Sequence, residues 1–200
     1  MTNAHRILLA AFSALVGAIS VGAPITAQTP DDAGDQPRYL ADGRLVQPRH
    51  YREWVFLSSS IDMSYNDQPV HQFDSVFASL AAYRAFLKSG VWPDQTVLIL
   101  ENRGASSKGS ITRSGQFQDG RVIGLEAHVK DRKRFKGGWG FFVFKGSQPG
   151  EFLPYEAVCY ACHRQHGAAD TTFVQFYPTL LPVATHRRTL SPAYIAANER

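Results

Sequence analysis

The chain has 200 residues, a hydrophobic fraction of 44% and a formal net charge of +4. That length and hydrophobic content define one packed domain with tails and exclude a wholly disordered chain. The charge is too small and too scattered for a nucleic-acid-binding surface, so no nucleic-acid partner is expected.

The first segment reads as a removable signal. His5 and Arg6 are followed by an almost wholly apolar run over residues 7–21, then by small residues up to Ala27. This is the layout of a secretory signal peptide over residues 1–27. The apolar run is shorter than the ~20 residues of a membrane span. No membrane attachment is therefore expected after cleavage, near Ala27 or alternatively at Ala23; an uncleaved anchor is the competing reading. Export predicts a periplasmic location.

Residues 28–49 are polar and rich in Pro, Asp and Gly, and read as a flexible lead-in. The domain is expected over residues 50–182, starting where Tyr51, Trp54, Val55, Phe56 and Leu57 bring apolar mass. Residues 70–89 allow two readings. One is a single helical stripe through Phe73, Val76, Phe77, Leu80, Tyr83 and Leu87. The other is an extended stretch to Phe77, then a shorter helix capped by Ser79 and stopped by Gly90. Trp92-Pro93-Asp94 marks a turn, and residues 96–101 a strand.

Residues 104–110 form a loop. Residues 121–130 alternate, with Leu125, Ala127 and Val129 on one face and Glu126, His128 and Lys130 on the other. That predicts a half-buried antiparallel strand with His128 towards water. A basic turn over residues 131–138 leads to a strand over 139–145 that is apolar on both faces and so covered on both. Residues 171–177 suggest a short turn of helix stopped by Pro178. Residues 183–200 read as a polar tail. The order predicts an α+β fold, mainly antiparallel β-sheet with two or three helices.

Chemistry concentrates at Cys159-Tyr160-Ala161-Cys162-His163. Two cysteines in an exported chain ordinarily suggest a disulfide, but a Cys-x-x-Cys-His run is the attachment signature of a c-type haem. Two thiols that add across the vinyl groups of one porphyrin must lie on one short turn, and the following His is then carried beneath the iron. One covalently attached haem c is therefore expected in the C-terminal part, held by Cys159 and Cys162 with His163 as iron ligand. A zinc site would need about four ligands, and only His166 is nearby. A thioredoxin-like dithiol would want a βαβ setting, and a disulfide closing so short a loop gains little.

The second axial position has several candidates. Met63 is the one Met left after signal removal, and His50, His71, His128, His166 and His186 are further possibilities. Nothing selects one of them, so an open sixth site, suited to a small molecule, is expected.

The haem motif, followed by Ala168-Ala169-Asp170-Thr171-Thr172-Phe173-Val174-Gln175-Phe176-Tyr177-Pro178, resembles the cytochrome P-460 family. Residues 82–90, the Trp92-Pro93-Asp94 turn with residues 96–100, and Gly138-Trp139-Gly140-Phe141-Phe142 extend the resemblance over residues 50–182. It implies a mainly antiparallel fold, a homodimer, a five-coordinate haem and a periplasmic location. It also implies one of two activities. One branch oxidises hydroxylamine through a haem cross-linked to a lysine, passing electrons to an external acceptor such as a partner cytochrome. The c′-beta branch lacks the bond and binds nitric oxide behind a phenylalanine cap.

The cross-linking lysine aligns within residues 96–103, near Leu100, where this chain has no Lys; Lys108 follows in the loop. Binding of nitric oxide or a similar small nitrogen ligand is therefore the leading expectation, with hydroxylamine oxidation second and a six-coordinate electron carrier third. Hydroxylamine oxidation releases protons and needs a base, for which Glu156 is the candidate catalytic residue. Phe56, Phe73 or Phe77 could instead supply an apolar cap.

Overall fold

Alternating side chains and short turns build an antiparallel meander. A computed structural model of the chain describes residues 35–64, 70–109, 111 and 113–198; the expected signal over residues 1–27 lies outside them. The strands are β1 (Val55–Ile61), β2 (Gln72–Ala78), β3 (Val97–Ser106), β4 (Phe117–Lys130), β5 (Trp139–Phe144) and β6 (Glu151–Phe152). They pair antiparallel in sequence order as one six-stranded sheet. Together with the helices α1 (Leu80–Ser89), α2 (Val158–His166), α3 (Leu181–Arg187) and α4 (Pro192–Asn198) among the described residues, the fold is α+β and mainly antiparallel sheet, as expected.

Residues 70–89 follow the second of their two readings. β2 is extended, and the Ser79 hydroxyl accepts from the Ala82 N–H at 3.3 Å, capping α1. Gly90, at φ 75°, ends the helix as its N–H donates to Phe86 O at 2.7 Å. Position 90 demands a left-handed backbone, which glycine adopts without penalty. α1 buries Phe86 against Trp92, with ring centroids 4.6 Å apart. Burial of one such side chain stabilises the fold by about 2–3 kcal/mol.

The sheet buries both faces. Since side chains alternate, Val97, Ile99, Ala127, Val129 and Phe142 form one core, closed by Leu45, Tyr51 and Phe135. The opposite face carries Ala78, Leu98 and Trp139, which pack with Phe86, Trp92, Val174, Tyr177, Leu180 and Ala184. The functional site lies on this second face.

Both flanking segments depart from expectation. Of the expected polar tail over residues 183–200, the described residues 183–198 do not behave as one: Ala184 is fully buried, Leu190 and Tyr194 pack on the core, and α4 forms within it. Ser191 N–H donates to Ala168 O at 2.7 Å, and its hydroxyl donates to Gly167 O at 2.8 Å. The apolar residues there are few but far apart in sequence, so no periodic stripe advertised them. The lead-in docks as well. Leu45 is fully buried and exchanges two backbone hydrogen bonds with Gly150, at 3.0 and 2.8 Å. Among the described residues no helix is long and apolar enough to cross a membrane.

Candidate haem-binding site

Helical spacing places Cys159, Cys162 and His163 on one side of α2, since positions i, i+3 and i+4 are neighbours. Both thiols are free and half-buried, and no residue of α2 is fully buried. The α2 N-terminus has no side-chain cap. Tyr160 anchors the helix to the sheet: its hydroxyl donates to Leu153 O at 3.0 Å and accepts from Phe141 N–H at 3.2 Å.

The His163 ring sits among three others. Ring centroids are 4.2 Å from Phe173, 4.7 Å from Phe141 and 4.8 Å from His128. His163 Nδ1 lies 2.9 Å from Thr171 O. A carbonyl can only accept, so Nδ1 carries the proton and Nε2 keeps the lone pair. Burial lowers the imidazole from its ordinary 6.5 to about 4, against the opposing effect of the hydrogen bond it donates to Thr171 O. His163 is therefore neutral near pH 7 and presents the nitrogen that a metal requires.

His128 corrects the sequence expectation. It faces inward, is only 8% exposed, and stacks on Phe141 with ring centroids 4.1 Å apart and planes at 10°. Trp139 lies 4.2 Å away on a centroid measure. Burial, then the neighbouring His163, push the His128 imidazole well below its ordinary pKa. Its Nε2 has no hydrogen-bond partner among the described residues. The alternation of β4 was read correctly; what the chain order concealed is that β5 and the segment after α2 cover the charged-looking face too.

One register step from His128 on the same face, Glu126 lies between Leu100 of β3 and Val143 of β5. Burial, then Asp74, raise the Glu126 carboxyl. Burial, then the Glu126 carboxyl, push the Cys159 thiol above its ordinary pKa. Asp74 accepts from Asn102 Nδ2 at 2.5 Å and Gln72 Nε2 at 2.7 Å. Sequence reading passed over Glu126. The apolar run of β5 was the available signal, because a strand covered on both faces implies that its neighbour is covered as well.

The other expected groups are dispersed. Glu156 is exposed in the turn before α2. Met63 is 47% exposed beyond the end of β1, and His50, His71, His166 and His186 are all exposed. Lys108 is exposed in the loop after β3, while Leu100 shares the face of His128. Phe56 and Phe77 meet each other at 5.9 Å, and Phe77 meets Tyr51 at 5.7 Å, on the face away from His163. Phe73 shares their parity along β2. None of the three caps the His163 face, because each falls on the wrong side of the pleat.

The donor set fits a haem: two thiols on one helical edge, a neutral imidazole with Nε2 uncommitted, and an aromatic surface bearing an unpartnered buried nitrogen. Among the described residues no group of three or more His, Cys, Asp or Glu side chains is arranged to hold a metal ion, so the zinc reading lacks its further ligands. Such a helix, facing an antiparallel sheet, defines the class of a c-type cytochrome. The family model for cytochrome P460 matches residues 48–174. The chain belongs to the cytochrome P460 family, and that membership implies a haem c cofactor. No curated protein matches the chain.

Proposed function

We propose that the chain is a periplasmic, single-haem c-type cytochrome whose open iron site binds nitric oxide or a similar small nitrogen ligand. In this reading Cys159 and Cys162 carry the porphyrin and His163 Nε2 binds the iron. The observation that carries it is the shared face of Cys159, Cys162 and His163 on α2, with Nδ1 already committed to Thr171 O. When bound, the haem supplies an iron centre able to take a small ligand or an electron.

The chain's own residues divide the remaining work. Thr171 orients His163, while Phe141, Phe173 and His128 pack around its imidazole. The exposed positions of Met63, His50, His71, His166 and His186 favour an open sixth site. His128 packs edge-on beside His163, so it does not oppose it. β1 leaves a sheet edge unpaired among the described residues, with Phe56 and Ile61 exposed, which suits a homodimer.

Intact mass of the exported protein should exceed the mature chain by one haem, and the ferrous spectrum should change on adding nitric oxide. A colourless product with two free thiols overturns the attachment. A coloured protein blind to nitric oxide overturns the open site.

Glu126 favours hydroxylamine oxidation as a second reading. Its carboxyl is half-buried with no hydrogen bond among the described residues, and its raised pKa suits a proton acceptor. In contrast to the exposed Glu156, it lies on the sheet face of His128 and acts electrostatically on Cys159. If hydroxylamine is turned over with an artificial acceptor, Glu126→Gln should lower kcat by about 10²–10⁴. An unchanged kcat removes Glu126 from the chemistry.

A further inference from the structure

His163 is oriented by the Thr171 carbonyl, and that carbonyl belongs to a turn the backbone does not favour by itself. Asp170 at φ 50° and Thr171 at φ 56° are successive left-handed residues, a conformation disfavoured for residues with a Cβ. The turn is therefore held from outside. Lys130, at the end of β4 and only 8% exposed, donates from Nζ to Asp170 Oδ2 at 2.5 Å and to Trp92 O at 2.7 Å. Trp139, the register partner of Lys130, donates from Nε1 to Asp170 Oδ1 at 3.3 Å. On the other flank Trp92 Nε1 donates to Thr172 Oγ1 at 3.0 Å, and Thr172 Oγ1 donates to Ala169 O at 2.7 Å.

We propose that the Lys130–Asp170 ion pair is a positioning device: it clamps the 170–171 turn, sets the strength of the His163–Thr171 hydrogen bond, and through it sets how strongly His163 donates to the iron. This rests on His163 being the iron ligand. A close, fixed carbonyl polarises the Nδ1–H bond and makes the imidazole a stronger donor, which favours the ferric state. Without the clamp the turn relaxes towards ordinary backbone, the carbonyl withdraws, and the iron is more easily reduced. The pair thus links a sheet end to the orientation of His163 through the 170–171 turn.

The test uses the exported holoprotein and two readouts other than activity: the iron–histidine stretching frequency of the ferrous form, and the reduction potential. Lys130→Met removes the charge at similar length. Asp170→Asn removes the opposite charge and keeps a residue that tolerates left-handed backbone. Both should lower the stretching frequency and raise the potential by about tenfold in the reduction equilibrium, about 59 mV for one electron. Lys130→Arg, which keeps the charge and the donors, should stay near the parent.

Haem-loaded Lys130→Met and Asp170→Asn proteins with the parent frequency and potential overturn the proposal. So does a Lys130→Arg protein shifted as far as Lys130→Met, because packing alone would then explain the effect. If one charge-removing variant fails to fold, the other, set against Lys130→Arg, decides. A parent protein without haem, or without an iron–histidine band, defeats the ligand assignment instead.

Discussion

Gly167 closes α2 at a point where no side chain fits. A Cβ there would lie 2.6 Å from His163 O, 2.8 Å from Thr171 C and 2.9 Å from Thr172 N, all backbone atoms that cannot swing aside. Gly167→Ala should therefore cost roughly 1–3 kcal/mol in chemical denaturation, because the helix end and the turn behind His163 must separate. A stability equal to the parent would mean that the turn yields freely. The His163 imidazole carries a second prediction, for the haem-free chain. Between its ordinary 6.5 and about 4, the unfolded chain takes up a proton that the folded chain refuses. The stabilising contribution is whole above the ordinary value and is lost as pH falls through this window. His128 acts in the same direction. Glu126, whose carboxyl is raised, opposes them, its contribution being lost as pH rises. With two imidazoles against one carboxyl, the denaturation midpoint of the haem-free chain should fall between about pH 7 and pH 5. A flat midpoint would show that the imidazoles are not buried.

Among the elements, α1 shows how local signals and long-range packing combine. Its cap at Ser79 and its stop at Gly90 were legible because both depend on backbone within one helical turn. What was not legible is that Gly90 also meets the C-terminal segment. Thr189 Oγ1 donates to Gly90 O at 2.7 Å, and a Cβ on Gly90 would meet Thr189 Oγ1 at 2.7 Å and Arg187 Cβ at 2.8 Å. Gly90→Ala should thus exceed the about 1 kcal/mol of a left-handed alanine and reach roughly 1–3 kcal/mol, measured by thermal or urea unfolding. A smaller loss would mean that the C-terminal segment moves aside. β4 teaches the converse. Its period was read correctly, but alternation reports only that a strand has two faces. Whether the second face meets water or another layer depends on segments thirty and more residues away, so His128 and Glu126 were hidden.

At the scale of the whole molecule, the C-terminal segment is part of the scaffold that holds the site. Leu180 and Ala184 are fully buried in the core that contains Trp139 and Ala168, and Ser191 ties the 167–168 backbone behind His163. Ending the chain after residue 182 should lower the denaturation midpoint and reduce haem retention in the exported protein. An unchanged midpoint would show that the segment rides on the domain without supporting it. Lys130, Asp170, Trp92 and Thr172 belong to this same scale, since their contacts join residues 40 and 80 positions apart.

The sequence by itself determined the α+β class, the central strands β3, β4 and β5 and the Cys159–His163 motif, and it offered the ends of α1 as one of two readings. Each of these is encoded by neighbours within a turn or a pleat, where residue type and spacing act directly on the backbone. Only the tertiary structure decided which face of the sheet the site occupies, that His128 and Glu126 lie inside it, that three phenylalanines point away, and that the last helices pack. These depend on which surfaces meet, and burial by a distant segment leaves no periodic trace in the strand it covers.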